Sequence, residues 1–153
     1  MAALTVTVGI SREPGCDDLP LPRYMTPDAA GMDIAAAVDE PLTIAPGAVA
    51  LVPAGFRLSL PAGYEGQLRP RSGLALRAGV TLLNAPGTID PDYRGPVQLI
   101  MVNHGRRPFT IRRGDRVAQL IVAPVARAAL EERVTLDTTE RGGGGFGHSG
   151  CQS

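Results

Sequence analysis

The sequence has little that would attract a polyanion. Its 15 basic residues, all of them arginine, are balanced by 15 acidic residues, so the formal net charge is zero. A general DNA- or RNA-binding protein needs a basic face, and a neutral chain does not favour one. We therefore expect no nucleic-acid partner. The complete absence of lysine indicates a composition bias more than a selection for phosphate contacts.

Cysteine is equally scarce. Cys16 and Cys151 stand near opposite ends of the chain and form neither a disulfide framework nor a metal-ligand spacing, which fits a reduced intracellular setting. The first residues lack the basic and apolar regions of a signal peptide, and no apolar run approaches the ~18 residues of a membrane span. The sequence therefore predicts a cytoplasmic protein with no membrane partner.

Long helical patterns are missing because 19 glycines and 14 prolines are spread along the 153 residues. Such spacing favours short strands joined by turns, and the length suits one domain. Alternating apolar residues predict strands at 4–10, 42–44, 49–52, 56–60, 64–68, 80–83, 97–102, 109–111 and 117–125. Pro46 and Gly47 are typical of a type II turn, so 42–52 is predicted to be a strand-turn-strand unit. The strand at 117–125 is nearly all apolar, which predicts burial on both faces.

The best helix candidate runs from Ser72 to Gly79. Ser72 can serve as its N-cap, and Gly79 can end it after two turns. Free amides at a helix start, next to the guanidinium of Arg71, would suit an anion. Such a motif is more often an ordinary helix cap beside a surface arginine. The motif alone does not distinguish that cap from an anion site.

Two further places carry charge whose role the pattern leaves open. Asp33 lies inside the apolar run 30–36, where it takes either a turn or bulge hydrogen bond or a place in a polar site. Arg112, Arg113 and Arg116 surround a Gly-Asp turn. They form either a solvated charged turn or a source of positive charge for phosphates.

The segment 84–96 is predicted to be the long loop of a hairpin between the strands at 80–83 and 97–102. Long hairpin loops with polar and aromatic residues usually serve function. This one holds Asn84, Asp90 and Tyr93, so we expect it to bind or to act on a ligand.

The C-terminal segment is rich in glycine, with six glycines among residues 142–150. It cannot bury a core of its own, so we expect it to be mobile in solution. Gly145, Gly147 and Gly150 match a dinucleotide fingerprint by composition alone, because no predicted strand precedes them and no helix follows. Backbone amides without side chains can still wrap phosphates, and Arg141 adds positive charge.

Five ordered motifs span nearly the whole chain: AGMDIAA at 30–36, RSGLA at 71–75, NAPGTIDPDYRG at 84–95, RGDRVAQL at 113–120 and RGGGGFGHSG at 141–150. Together they resemble the motifs of the trimeric deoxyuridine triphosphate nucleotidohydrolases (dUTPases). The resemblance implies an all-β, jelly-roll-like β-barrel of the β-clip type at 1–137, with one short helix. A flexible glycine-rich tail at 138–153 would close an active site. A homotrimer with shared active sites and Mg²⁺-dependent hydrolysis of dUTP to dUMP and pyrophosphate are also implied.

The resemblance assigns the chemistry to the third motif. Asp90 looks like the base that orients and deprotonates a water for attack on the α-phosphorus, which requires the carboxylate to lie within ~3 Å of that water. Tyr93 resembles the ring that packs under the deoxyribose, where a 2′-hydroxyl would collide.

A uracil reader is implied in the same motif. Asn84 and the backbone of Gly87, Thr88 and Ile89 can imitate an adenine edge, and a closed hairpin leaves no room for the methyl group of thymine. Thr88 stands where many relatives have an aliphatic residue, which should not disturb a mainly backbone contact. Gln98 stands where the family also contacts substrate, with varied residues.

Phosphate contacts are implied from two other motifs. They come from Arg71, Ser72 and Gly73 at the helix start and from Gln119 in the fourth motif. Mg²⁺ is the implied cofactor, held by triphosphate oxygens and waters, with Asp33 as an outer-sphere partner and no direct protein ligand.

The tail resembles the closing segment of the family. Phe146 looks like the ring that stacks on uracil, Arg141 looks like the contact to the γ-phosphate, and Ser149 belongs to the same closing motif. The resemblance therefore predicts that residues 138–153 cover a bound triphosphate.

Two alternatives share this fold. The related dCTP deaminase needs an acid/base glutamate beside the pyrimidine, and no glutamate occurs between Glu65 and Glu131. A non-catalytic nucleotide-binding module would not need Asp90. The motifs therefore predict a dUTP diphosphatase, which would supply dUMP for thymidylate synthesis and limit uracil in DNA.

Overall fold

Residues 5–146, which the computed structural model describes, contain twelve β-strands and one short helix. The strands are β1 Gly9–Arg12, β2 Arg23–Tyr24, β3 Met32–Ala35, β4 Leu42–Ile44, β5 Val49–Pro53, β6 Phe56–Ser59, β7 Tyr64–Pro70, β8 Val80–Leu82, β9 Gly87–Ile89, β10 Gln98–Asn103, β11 Phe109–Ile111 and β12 Arg116–Pro124. The helix α1 is Ser72–Ala78. The all-β class with one short helix is confirmed.

The strands pair antiparallel in four sheets. The largest has the order β2-β3-β12-β7-β9, a second has the order β5-β10-β8, and two hairpin-sized sheets pair β11 with β4 and β1 with β6. Strands that are far apart in sequence are therefore neighbours in space, as in a jelly roll.

One core joins these sheets. The five-stranded sheet contributes Ile34 and Leu120, the three-stranded sheet contributes Leu99 and Met101, and β11 contributes Ile111, each at most 1 % exposed. Since these side chains belong to a single contact cluster, the inner faces of the sheets pack on one another. The outer faces are left to carry function.

The first strand differs from its prediction. It begins at Gly9, and all four of its residues are exposed; residues 1–4 lie outside the described part. The apolar alternation over 4–10 predicted a half-buried strand, but β1 pairs only with β6 at the margin of the fold.

The two strands and the turn predicted at 42–52 all form, but the two strands do not make a hairpin. Gly47 has a φ of 78° at the turn, as a type II turn requires. The two strands do not pair with each other, because β4 pairs with β11 and β5 pairs with β10. A type II turn splays the strands that flank it, so each strand is available to another partner.

The hairpin of β8 and β10 is confirmed, but its connection is more than a loop. Gly87–Ile89 within it forms β9, which pairs with β7 in the five-stranded sheet. Three residues carry no periodic signal, so tertiary pairing alone specifies this strand. The connection therefore bridges two sheets, which fixes its polar residues in place.

The helix is where the sequence predicts it, with one correction at its start. Arg71, not Ser72, occupies the N-cap position, and no side chain caps the helix. The extended backbone of Arg71 (φ −91°, ψ 126°) places Ser72 inside the first turn. Gly79 ends the helix in the left-handed conformation, as predicted.

The last strand is buried on both faces only in its first half. Val117, Ala118 and Leu120 are buried, whereas 121–123 are half-buried. After Pro124 no further helix or strand occurs up to residue 146. The predicted domain boundary at residue 137 stays a prediction. No helix in the described part is long and apolar enough to span a membrane.

Gly79 offers a test of this packing. Its φ is 68°, and a Cβ there would lie 2.6 Å from the backbone nitrogen of Gly105, whereas Gly47, with a φ of 78°, has nothing within 4 Å of that position. We expect Gly47→Ala to lower the free energy of unfolding by about 1 kcal/mol, from backbone conformation alone. Gly79→Ala should lower it by about 3 kcal/mol, because residue 105 must also move. Urea denaturation at one protein concentration measures both, and equal losses would contradict the packing account.

Candidate active site

A cavity of about 400 Å³ opens between β9, the segment that follows it and the outer face of β5 and β10. Its lining is Leu51, Leu68, Asn84, Gly87, Thr88, Ile89, Asp90, Tyr93, Pro96, Val97, Gln98 and Ile100. The structure thus brings together all seven residues that the sequence assigned to uracil, sugar and catalysis. Their polar groups meet an apolar wall, which is the usual make-up of a small-molecule site.

Asn84 lies against the backbone of Gly87. A Cβ on Gly87 would be 3.2 Å from Asn84 Nδ2 and 3.3 Å from the Cβ of Leu68. Any larger side chain at position 87 would therefore push the carboxamide away from the strand. The carboxamide and the main chain of β9 together offer both donors and acceptors to a flat polar ligand.

The turn after β9 is closed by its own hydrogen bonds. The Tyr93 amide donates to the Asp90 carbonyl at 3.2 Å, and the Tyr93 hydroxyl donates to the Pro96 carbonyl at 3.1 Å. Arg94 Nη1 donates to the carbonyls of Pro91 and Tyr93 at 2.6 and 2.9 Å. These contacts fix Asp90 and Tyr93 relative to each other, although both side chains are exposed.

A neighbouring ion pair supports this turn from β6. Arg57 Nη1 donates to the Arg94 carbonyl at 3.5 Å, and its Nε donates to Glu13 at 2.5 Å. The hydrogen bond from Arg57 lowers the pKa of Glu13 below its ordinary value. The pair therefore stays charged at neutral pH.

Asp90 stands where two cavities meet. A second, larger cavity of about 830 Å³ shares Thr88 and Asp90 with the first. The predicted uracil and sugar residues line the smaller one, so a nucleoside would sit there. The Asp90 carboxylate would then lie at the rim, where groups that extend from the sugar leave the pocket.

A cationic cluster forms on the five-stranded sheet. Asp33, only 7 % exposed, accepts a hydrogen bond from Arg116 Nη1 at 3.1 Å and from Gln119 Nε2 at 3.3 Å. Arg71 Nη2 lies 3.3 Å from the same carboxylate, and Arg71 Nη1 donates to the Arg116 carbonyl at 2.9 Å. Of the two roles open to Asp33, the structure therefore gives it the place in a polar site.

The sheet register explains why these groups meet. Gln119 on β12 is directly opposite Asp33 on β3 and Arg69 on β7, and Arg23 on β2 is opposite Asp33. Directly opposed residues share one face of a sheet. Two arginines with one buried carboxylate leave excess positive charge there, beside the first turn of α1 that holds Ser72 and Gly73. This surface suits phosphates.

Two of the three arginines around the Gly-Asp turn take different roles. Arg116 joins the cationic cluster. Arg113 turns away and forms a bidentate pair with Asp18 at 2.8 and 2.9 Å, with a further bond to the Gly15 carbonyl at 2.7 Å. This pairing lowers the pKa of the Asp18 carboxyl. Arg113 therefore holds the segment at 15–18, whereas Arg116 lies on the face that carries the cationic cluster.

Arg141 and Phe146, which the resemblance assigned to closure, line neither cavity. Arg141 Nε donates to the Gly144 carbonyl at 2.7 Å within its own turn, and the Phe146 side chain is fully exposed. Ser149 lies outside the described residues. Within 5–146 no lining residue of either cavity comes from beyond Arg127.

Sequence reasoning missed three contributors. Arg116 was left open between two roles, and Leu51 and Ile100 were assigned only to strands. Leu51 and Ile100 are directly paired across β5 and β10 and form the apolar wall of the cavity. Only the register could have identified them, because alternation shows which residues share a face but not what that face meets.

Comparison with known proteins decides the family. The dUTPase family model matches residues 17–150. The chain belongs to the dUTPase family. It is 57 % identical over 148 residues to the deoxyuridine 5′-triphosphate nucleotidohydrolase of Methylocella silvestris, a match that covers 95 % of this chain and 92 % of that dUTPase.

Solved dUTPase structures share the fold. A mutant dUTPase of Staphylococcus bacteriophage 80alpha with dUpNHpp superposes with a TM-score of 0.85 at 24 % identity, covering 95 % of this chain and 99 % of that one. A mutant dUTPase from phage phi11 of S. aureus, described with a structural Mg(II) ion, has a TM-score of 0.76 at 21 % identity over 86 % of this chain and 99 % of that one. The jelly-roll-like dUTPase fold is thereby confirmed.

Proposed function

We propose that this dUTPase-family protein is a dUTP diphosphatase, which hydrolyses dUTP to dUMP and pyrophosphate. The observation that carries the proposal is the position of Asp90, a carboxylate at the rim of a cavity whose other polar groups suit uracil and deoxyribose. Asp90 takes a proton from water, and the water oxygen bonds to the α-phosphorus as the bond to the pyrophosphate oxygen breaks. The proposed location is the cytoplasm, and the proposed role is to supply dUMP and to limit uracil in DNA.

Base recognition is proposed for Asn84 and the backbone of Gly87–Ile89. The carboxamide lies next to Gly87, so donors and acceptors from side chain and main chain face the same ligand edge. Gln98 lines the same cavity near its apolar wall. A site built to pair polar groups rejects a base that leaves them unpaired.

Phosphate binding is proposed for Arg71, Ser72, Gly73 and Gln119, with Arg116 as an addition from the structure. A carboxylate offers about four acceptor positions, and Asp33 uses two of them for hydrogen bonds from Arg116 and Gln119, while Arg71 Nη2 lies 3.3 Å away. At least one position is therefore left for a metal-bound water. The donor set therefore fits an outer-sphere partner of Mg²⁺.

No group of three or more possible ligands that could hold a metal by itself occurs within 5–146. Triphosphate oxygens would supply the remaining ligands, which suits a hard cation. When bound, Mg²⁺ would neutralise charge on the phosphates. The arginines and Gln119 would orient those phosphates towards Asp90.

We propose an active site shared between chains because, within one chain, the proposed phosphate-binding residues lie apart from the cavity that contains Asp90. The cationic cluster of Asp33, Arg71, Arg116 and Gln119 contributes no residue to the cavity that contains Asp90. In a homotrimer a neighbouring chain can bring its cluster to the rim of that cavity, as head-to-tail interfaces of closed rings allow. Light scattering should then give three times the 16.0 kDa chain mass.

Shared sites make a specific prediction for mixed subunits. Asp90→Asn and Arg71→Ala should each be nearly inactive alone. If the two variants are unfolded together and refolded at equal amounts, roughly a quarter of the sites should combine an intact Asp90 from one chain with an intact Arg71 from another. Recovered dUTP hydrolysis measures this. A mixture no more active than its components, in a verified trimer, would place both residues of each site on one chain.

The assay that tests the function itself is product release from four nucleotides. We expect pyrophosphate from dUTP, and much slower release from dCTP, dTTP and UTP. Ammonia released from dCTP would indicate a deaminase instead. Nucleotide binding without any turnover would indicate a non-catalytic module.

A further inference from the structure

The ring of Tyr93 rests directly on the backbone of Gly95. A Cβ added to Gly95 would lie 2.3 Å from the Tyr93 hydroxyl oxygen, 2.5 Å from Cζ and 2.9 Å from Cε2. Ordinary carbon contacts are about 3.5 to 4.0 Å. Only glycine at position 95 therefore allows the ring to occupy its observed place.

The hydroxyl of the Tyr93 ring is also held in place by a hydrogen bond. It donates to the Pro96 carbonyl at 3.1 Å, so the ring spans Gly95 and is anchored just beyond it. The Tyr93 amide is bound to the Asp90 carbonyl. The same short turn thus sets the ring and the proposed base.

The backbone conformation at position 95 does not require glycine. Gly95 is absent from the described glycines with positive φ, so alanine is compatible with its main chain. The clash would fall on the outer end of a side chain that is 46 % exposed. The ring would move towards solvent by roughly 1 Å, since it is less constrained than the backbone.

We propose that Gly95 is a positioning residue that holds the Tyr93 ring where it excludes ribose, and so determines the preference for deoxyribonucleotides. This inference rests on the proposed function, in which the ring packs under the sugar. A Tyr93 ring displaced from its position against Gly95 leaves space for a 2′-hydroxyl and loses contact with the deoxyribose. The selectivity between dUTP and UTP then falls although Tyr93 is still present.

The test compares kcat/KM for dUTP and UTP in the wild type, Gly95→Ala, Tyr93→Ala and the double variant. We expect the dUTP/UTP ratio to fall by about tenfold in Gly95→Ala, and the double variant to match Tyr93→Ala, because both changes act through one ring. Tyr93→Phe, which removes the bond to Pro96, should give a smaller fall. Gly9→Ala is the matched control: its φ is also ordinary and its Cβ would meet only Ser59. It should leave the ratio unchanged.

A second readout does not depend on turnover. The chain has three tyrosines, so the ring resonances of Tyr93 can be assigned by NMR in the free protein. They should shift in Gly95→Ala while the melting temperature stays near that of the wild type. Unshifted resonances, a lost fold, or additive effects in the double variant would overturn the proposal. So would a wild-type ratio in Gly95→Ala when Tyr93→Ala lowers it.

Failure of the proposed function has a different signature. If the wild-type protein does not hydrolyse dUTP, the proposed function is wrong, whatever the position of the Tyr93 ring. If the wild-type protein prefers dUTP and neither Tyr93→Ala nor Gly95→Ala changes the dUTP/UTP ratio of kcat/KM, the proposed function stands. The proposed role of Gly95 in positioning the Tyr93 ring is then wrong.

Discussion

Replacing Asp90 with asparagine is expected to lower kcat for dUTP by about 10²-fold or more, with nucleotide binding retained. Asparagine keeps the size of the side chain and can still hydrogen-bond a water, but it cannot take the proton. Initial rates of pyrophosphate release give kcat. Calorimetry with a non-hydrolysable dUTP analogue gives the affinity.

The same turn contains a matched control. Asp92 is a second exposed carboxylate two residues away, and it lines only the larger cavity. We expect Asp92→Asn to turn over dUTP at nearly the wild-type rate. A wild-type rate in Asp90→Asn, or equal losses in both variants, would show that Asp90 is not the base.

Removing all residues after Thr139 is expected to reduce dUTP turnover by roughly 10²-fold while the fold and dUMP binding persist. Fixing each backbone residue of a glycine-rich segment costs about 1 to 2 kcal/mol, so closure needs contacts from a full triphosphate. dUMP lacks the γ-phosphate that Arg141 would meet. An uncovered site admits water and leaves the phosphates poorly aligned, and a misplacement of about 1 Å can cost a factor of about 10².

Proteolysis separates closure from a passive extension. The segment after Thr139 should be protected by a non-hydrolysable dUTP analogue with Mg²⁺ and cleaved readily with dUMP. Arg141→Ala should lose this protection even though the segment is complete. Equal cleavage with both ligands, or full activity in the truncated protein, would contradict the closing role.

The sequence predicts which polar residues line the smaller cavity because most of them are close together in the chain. Asn84, Asp90 and Tyr93 belong to one short connection, so local turn chemistry brings them together. The structure adds the reason why they are held rigidly. β9 fastens the middle of the connection to β7, and a three-residue strand leaves no periodic signature in the sequence.

The cationic cluster is harder to predict because it depends on strand register. Arg116 reaches Asp33 through the pairing of β12 with β3, which shifts between Arg116 and Ala118. A shift of one residue reverses the face on which a side chain lies. Sequence pattern therefore left open whether Arg112, Arg113 and Arg116 form a solvated turn or supply charge for phosphates. It misplaced the helix cap because Arg71 continues the extended backbone of β7.

We expect this protein to direct water, through Asp90, to the α-phosphorus of dUTP. Hydrolysis in H₂¹⁸O, followed by mass spectrometry of both products, tests it most directly, since the attacked phosphorus keeps the water oxygen. We expect one ¹⁸O in dUMP and none in pyrophosphate. Label in pyrophosphate with unlabelled dUMP would place the attack at the β-phosphorus and contradict this mechanism, as would the absence of both products.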